Sequence, residues 1–189
     1  MNEKVKQNQS DFLEHLNSFR DKFEKFYGQK YFIDNIPEIL NESIRYINST
    51  GGKRIRPFLV YECASLFDVK FEESIDAAIA IEMVHTYSLI HDDLPAMDDD
   101  DMRRGNETLH KKYNEAIAIL SGDALLTDSF VLLVERYKNI DINICIELIK
   151  LLSKSAGSAG MVGGQILDLF SNEKNNKSVE LMNEMKTGA

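Results

Sequence analysis

Apolar positions along the chain recur at helical spacing, and no segment shows the two-residue alternation of a half-buried strand. Phe12, Leu16, Phe19, Phe23 and Phe26 follow one another at steps of four, three, four and three, which places them on one helix face. Asn35 and Pro37 mark a helix start whose apolar positions run through Ile39, Ile44 and Ile47. The Ser49-Thr50-Gly51-Gly52 stretch breaks that helix, and Pro57 opens another helical run through Phe67. Residues 72–93 form the most apolar helix, 114–137 a second long one, and 142–171 one or two more. Residues 172–177 read as a polar turn, with a last helix beginning near Ser178. There is no internal repeat and no low-complexity linker. The pattern predicts an all-α fold in a single domain over residues 1–189.

Composition adds exclusions. With 43% apolar and 28% charged residues, the chain has globular and not disordered composition. A net charge of −9 argues against nucleic acid or anionic lipid as a partner of the whole surface. No uninterrupted apolar run approaches the roughly 18 residues of a membrane span, so no stable membrane association is expected. The first dozen residues lack the apolar region of a secretory signal. Cys63 and Cys145 lie far apart in apolar surroundings, as small hydrophobes do in a reducing cytoplasm.

The chemistry begins where the most apolar helix turns polar. His85, Ser88 and Asp92 are spaced three and four apart and share a stripe about 60° wide. That stripe leads into HDDLPAMDDDDMRRG, residues 91–105, with six aspartates among residues 92–101 and then Arg103 and Arg104. Carboxylates at this density repel one another unless a cation intervenes, and Mg²⁺ prefers hard oxygen ligands completed by substrate phosphates. Asp92 and Asp98, six apart, would face roughly 120° from each other on an unbroken helix. Pro95 interrupts the helix between them, so a loop can swing Asp98 back beside Asp92. The arginines bring planar forks that grip phosphate oxygens. Upstream, GGKRIRP places Lys53, Arg54 and Arg56 after two glycines that allow close backbone approach, without the spacing of a P-loop. A solvated acidic helix end and a Gly-rich connection with solvated charges are the plainer readings of these two segments. Together the clusters suggest two phosphorylated substrates and magnesium.

GGKRIRP, HDDLPAMDDDDMRRG, AILSGDALL at 118–126, GGQILDL at 163–169 and the final Lys186-Thr187 pair resemble, in order, the motifs of the all-trans polyprenyl diphosphate synthases. The longer DDxxxxD form of the first aspartate motif is similar to that of bacterial farnesyl diphosphate synthases. The resemblance implies antiparallel helices around a central cavity, a homodimer, and Mg²⁺-dependent joining of an allylic diphosphate (dimethylallyl, then geranyl) to isopentenyl diphosphate. It implies that Asp92 and Asp98 ligate magnesium with Asp93 in support, and that Arg103 contacts the allylic diphosphate. Lys53, Arg56, His85 and Arg104 would bind isopentenyl diphosphate. Lys186 and Thr187 would reach the allylic diphosphate and the nascent cation, and Gln165 and Asp168 would line the same cavity. Tyr87 and Ser88, five and four residues before the first aspartate, would help set the cavity floor and stop growth at the C15 product.

Geranylgeranyl diphosphate is the alternative product, and a non-catalytic helical partner subunit the alternative class. A metal phosphohydrolase built on His91-Asp92 wants further histidines around its metal, and His15, His85 and His110 offer no evident set; a terpene cyclase has no use for GGKRIRP. The family also carries a second aspartate-rich motif, whereas Asp123, Asp128, Asp141 and Asp168 are isolated here. The resemblance therefore implies that the chain corresponds to the N-terminal two-thirds of a synthase, exposes apolar helix faces and is incomplete as a catalyst by itself.

Overall fold

The structure, a computed structural model, describes residues 3–30 and 35–170. The turn expected at 172–177, the helix expected near Ser178, and Lys186 and Thr187 lie outside the described residues. Among those described, the order is α1 (Glu3–Lys30), α2 (Glu38–Ser49), α3 (Ile55–Ser65), α4 (Phe71–Asp92), β1 (Met102–Arg103), β2 (Asn106–Glu107), α5 (Leu109–Lys112), α6 (Glu115–Tyr137), α7 (Ile142–Ala156) and α8 (Met161–Phe170). The fold is all-α apart from the two-residue strands. Packing divides the chain into two units, Met1–Leu132 and Leu133–Ala189, with the boundary inside α6.

In the first unit, α1, α3 and α4 pack on one another around an aromatic cluster. Phe19 stacks on Phe23 and Tyr61 and meets Phe58 and Phe71 edge-on. The buried face of α1 is Leu16, Phe19, Phe23 and Tyr27. The expected stripe thus drifts at both ends. Steps of three, four and four follow the 3.6-residue turn and select Tyr27 over Phe26. Phe12 is half exposed, although its ring still meets Phe58.

The helix α4 starts where the Glu73 carboxylate accepts from the Lys70 backbone N–H at 3.3 Å, with Glu72 and Glu73 complementing the helix dipole. It ends at Asp92 because Pro95 follows within one turn. Asp76 and Glu82 are buried in it among apolar neighbours. In α3 the helix begins two residues before Pro57, which the first turn accepts because its N–H would have no intrahelical acceptor. The strands were not expected. Met102 pairs with Glu107 and Arg103 with Asn106, and Arg104 and Gly105 between them both have positive φ (53° and 81°), as a two-residue primed hairpin turn requires. Ser43 of α2 and Ser121 of α6 share a buried hydrogen bond of 2.8 Å. By length and mean hydropathy, α6 is apolar enough to cross a membrane, despite the expectation from apolar runs; Asp123 and Asp128 interrupt it, and buried core helices have the same composition.

In the second unit, the 142–171 segment forms two helices. Gly157 to Gly160 separates them, and a Cβ at Gly160 would overlap the Ser155 carbonyl. Asp141 caps α7 by accepting from the Asn143 N–H at 2.8 Å, and Cys145 is the buried residue beneath it. Ile142, Ile144, Ile146, Leu151, Val162, Ile166 and Leu169 are exposed, in line with the apolar faces expected. Both cysteines are free thiols, but Cys63 is not buried as expected: one turn from the end of α3, it lies on the exposed side.

Phe23 has no exposed surface and sits at the centre of the aromatic cluster. Phe23→Ala should therefore cost about 3–5 kcal/mol in urea unfolding followed by far-UV circular dichroism. A loss below about 1 kcal/mol would mean that α1 is not held by this cluster.

Candidate functional site

The site grows from two chain breaks and one helix. At the first break, Gly51 has φ +72° and Arg54 φ +51°, so the backbone coils tightly before α3. This coil leaves Lys53 and Arg56 exposed but turns Arg54 inward, where its residue is 5% exposed. Arg54 Nε donates to Glu24 at 2.7 Å, Nη1 to Glu82 at 2.7 Å and Nη2 to the Asn48 carbonyl at 3.2 Å. Burial opposes its charge, yet the two carboxylates outweigh burial and hold its proton more tightly than usual. Of the three cations in KRIR, the middle one is committed to the interior.

At the second break, after α4, the chain doubles back at Pro95. The Asp98 N–H donates to the Asp92 carbonyl at 2.8 Å, and the Asp99 N–H to Leu94 at 3.2 Å. Two residues six apart in sequence are thereby placed side by side, as the proline suggested. The contact joins their backbones, and their carboxylates are hard oxygen donors of the kind Mg²⁺ takes. Asp93, expected to support the metal, is 1% exposed and accepts the Arg103 Nε on both oxygens at 2.7 and 3.0 Å. Its charge is spent on orienting Arg103, whose proton it holds more firmly. A further group, Asp99, Asp101 and His110, brings donor atoms within 4.8 Å of one another and was not singled out from sequence. Lys111 already neutralises Asp101 at 2.6 Å.

The hairpin sends its two arginines apart. Arg103 lies in β1 and turns to Asp93, whereas Arg104, at the turn, reaches the Gly51 carbonyl and lies over Gly52. A Cβ at Gly52 would come within 2.6 Å of Arg104 Nη1, so a larger residue there would push the guanidinium aside. Gly52 to Arg56, Glu82, His85 and Arg104 enclose a cleft of about 450 Å³. All four side chains expected for isopentenyl diphosphate, Lys53, Arg56, His85 and Arg104, are brought together there. His85 Nε2 lies 3.3 Å from Arg56 Nη1, and since a guanidinium only donates, Nε2 is the unprotonated nitrogen. Burial, then Arg56, Arg104, Arg54 and Arg103, press the His85 pKa down to about 4.

Tyr87 is buried and meets His91 edge-on at 5.5 Å; burial and then the Asp92 charge raise its pKa. Ser88 donates to the His85 carbonyl. His91 packs against Gly122, with Nε2 3.2 Å from the Ile119 carbonyl and 3.9 Å from the Asp123 carboxylate, all on α6. Gln165 is half-buried and Asp168 exposed, one turn apart on α8 of the second unit.

A profile described as polyprenyl synthetase matches residues 37–189. The chain belongs to the polyprenyl synthetase family. A farnesyl diphosphate synthase of Micrococcus luteus is 52% identical over 135 residues, covering 71% of this chain and 46% of that protein. An FPP/GFPP synthase from Zymomonas mobilis superposes with a TM-score of 0.84 at 37% identity, over 96% of this chain and 66% of that one. A geranyltransferase from Helicobacter pylori, complexed with magnesium and isoprenyl diphosphate, gives 0.78 at 37% identity, over 92% and 60%. The chain thus spans about half the length of the curated relative and about two-thirds of the solved structures.

Because the folded state holds His85 below its ordinary 6.5, the unfolded chain takes up that proton first as pH falls. Folded stability should drop between pH about 6.5 and about 4 and then level off with respect to this group. His85→Gln should flatten that part of the profile in urea titrations at successive pH values. Parallel profiles for the two proteins would contradict the half-buried, neutral imidazole.

Proposed function

We propose that this chain carries the two diphosphate cradles of a prenyltransferase that joins an allylic diphosphate to isopentenyl diphosphate, with farnesyl diphosphate as the product. The observation that supports it most is the joint closure of Lys53, Arg56, His85 and Arg104 around one cleft, beside a loop that folds Asp98 onto Asp92. One cradle is cationic and built from protein alone. The other is anionic and needs a metal to hold an anion.

In this reading Asp92 and Asp98 hold Mg²⁺, which when bound would neutralise charge on the leaving diphosphate. Arg103, fixed by Asp93 along its Nε and Nη2 edge, offers its Nη1 to the same diphosphate. The C1–O bond of the allylic substrate breaks with its electron pair passing to the diphosphate. The terminal double bond of isopentenyl diphosphate supplies the pair for the new C–C bond. A proton then leaves the adjacent carbon, the released diphosphate accepting it, and a new double bond forms. Arg56 and Arg104 orient the isopentenyl diphosphate, and neutral His85 keeps the cleft free of a further mobile proton. Tyr87, buried one and a half turns before Asp92, supports a floor for a C15 chain over a C20 one. Lys186, Thr187, Gln165 and Asp168 belong to the same reading on the strength of the motif alone. A homodimer is part of it too, supported by Ile119, Leu120 and Val131 exposed along α6.

Two substitutions test the division. Asp92→Ala should abolish Mg²⁺-dependent binding of a non-hydrolysable allylic diphosphate in calorimetry while leaving isopentenyl diphosphate bound. Lys53→Ala should do the reverse, weakening isopentenyl diphosphate by about 1.5–3 kcal/mol. Equal losses of both ligands in either variant would mean that there is one anion site.

A further inference from the structure

The Arg54 ion pairs join three helices at the floor of the cleft. Glu24 comes from α1 and Glu82 from α4, while the carbonyl of Asn48 belongs to α2. The Arg54 side chain is 3% exposed and that of Glu82 5%, so both charges are out of water. Tyr27 closes the network, its hydroxyl donating to the Asn48 side chain at 2.9 Å and its ring 5.5 Å from the guanidinium. Arg54 is also the residue that immediately precedes α3, in a left-handed conformation that a side chain adopts only when its surroundings enforce it. Its neighbours in sequence are the cations of the cleft, Lys53 on one side and Arg56 two residues on. Glu82 lies three residues, one helical turn, before His85. The Arg54–Glu82 ion pair, at the floor of the cleft, therefore ties both walls together, the loop that carries Lys53 and Arg56 and the helix that carries His85. The Arg56–His85 contact of 3.3 Å spans those same walls.

We propose that Arg54 is a positioning residue, held by Glu82 and Glu24, that sets the distance between Lys53 and Arg56 on one wall and His85 on the other. It is not a ligand of the diphosphate, although it stands among residues that are. This rests on the assignment of the cleft to isopentenyl diphosphate. The two roles predict opposite signs for one substitution. Glu82→Gln removes a negative charge from behind an anion site. If Arg54 were a ligand, or acted through charge alone, the variant would free a guanidinium and tighten binding. If the pair sets the walls, the variant loosens them and binding weakens.

The experiment compares the full chain with Glu82→Gln and with Arg54→Lys, which keeps the charge but loses the fork. Titration with isopentenyl diphosphate should show affinity lower by about ten- to a hundredfold in both variants. Mg²⁺-dependent binding of an allylic analogue should stay within about twofold, which a general loosening of the fold would not allow. A second readout needs no ligand. Arg56 is one of the groups that press the His85 pKa down, so wall separation should raise the His85 pKa followed by NMR, whereas loss of a carboxylate by itself should lower it further. The half-exposed Glu24→Gln should move both readouts in the same direction by less, and serves where the buried variants do not fold. A raised His85 pKa with no isopentenyl diphosphate binding in the parent chain would defeat the functional reading and leave the positioning role standing. Tightened or unchanged binding with a lowered or unchanged His85 pKa would overturn the proposal.

Discussion

Bringing like charges together around one cleft is the constraint on which the first unit depends. At an effective dielectric of about 20, two cations about 4 Å apart repel by about 4 kcal/mol, comparable to the whole margin of a small fold. The structure meets this by dividing its arginines. Arg54 is matched with Glu82 and Glu24, and Arg103 with Asp93, in each case by at least one carboxylate that is itself buried. Among the described residues, no carboxylate lies within ion-pair distance of Lys53, Arg56 or Arg104. The matched pairs fix geometry, and the unmatched cations at the surface of the cleft are left for an anion. His85, between the two groups, is kept neutral by burial first and then by the same positive field.

Of the five non-glycine residues with positive φ among those described, Asn35 and Asp68 lie elsewhere and three lie where this division is made. Arg54, Asp99 and Arg104 all have positive φ without being glycine, at about 1–2 kcal/mol each. Two of the three are the arginines whose directions matter most. At Arg104 the hairpin turn aims the guanidinium at Gly51 while Arg103, one residue earlier, goes to Asp93. A regular helix or strand would carry adjacent side chains to set, repeating directions. The strained turn lets the RR pair serve two cradles.

Much of this was legible in the sequence, because it is local. The 3.6-residue recurrence gave the long helices, Pro95 gave the return of Asp98, and the gathering of Lys53, Arg56, His85 and Arg104 followed from motifs. What spacing could not show is which member of a crowded set finds a partner on another element. Arg54 reads like its neighbours in KRIR until Glu82, the one carboxylate between Asp76 and Asp92 of α4, is seen beside it. That isolated glutamate was the available signal, since a buried carboxylate needs a cation. Asp93 likewise reads as one of six aspartates, and only its burial against Arg103 separates it from Asp92. The hairpin was missed because two-residue strands are too short to show a period. The shift from Phe26 to Tyr27 is the slow drift of a 3.6-residue helix against integer steps.

The central claim is that one chain holds two anion cradles of different kind. Calorimetric titration of the unmodified chain tests it directly, with isopentenyl diphosphate and a non-hydrolysable allylic diphosphate each added with and without Mg²⁺, and each also in the presence of the other. The account predicts that isopentenyl diphosphate binds with or without the metal, that the allylic analogue binds only with it, and that neither displaces the other. Mutual displacement, or an equal dependence of both ligands on Mg²⁺, would contradict it.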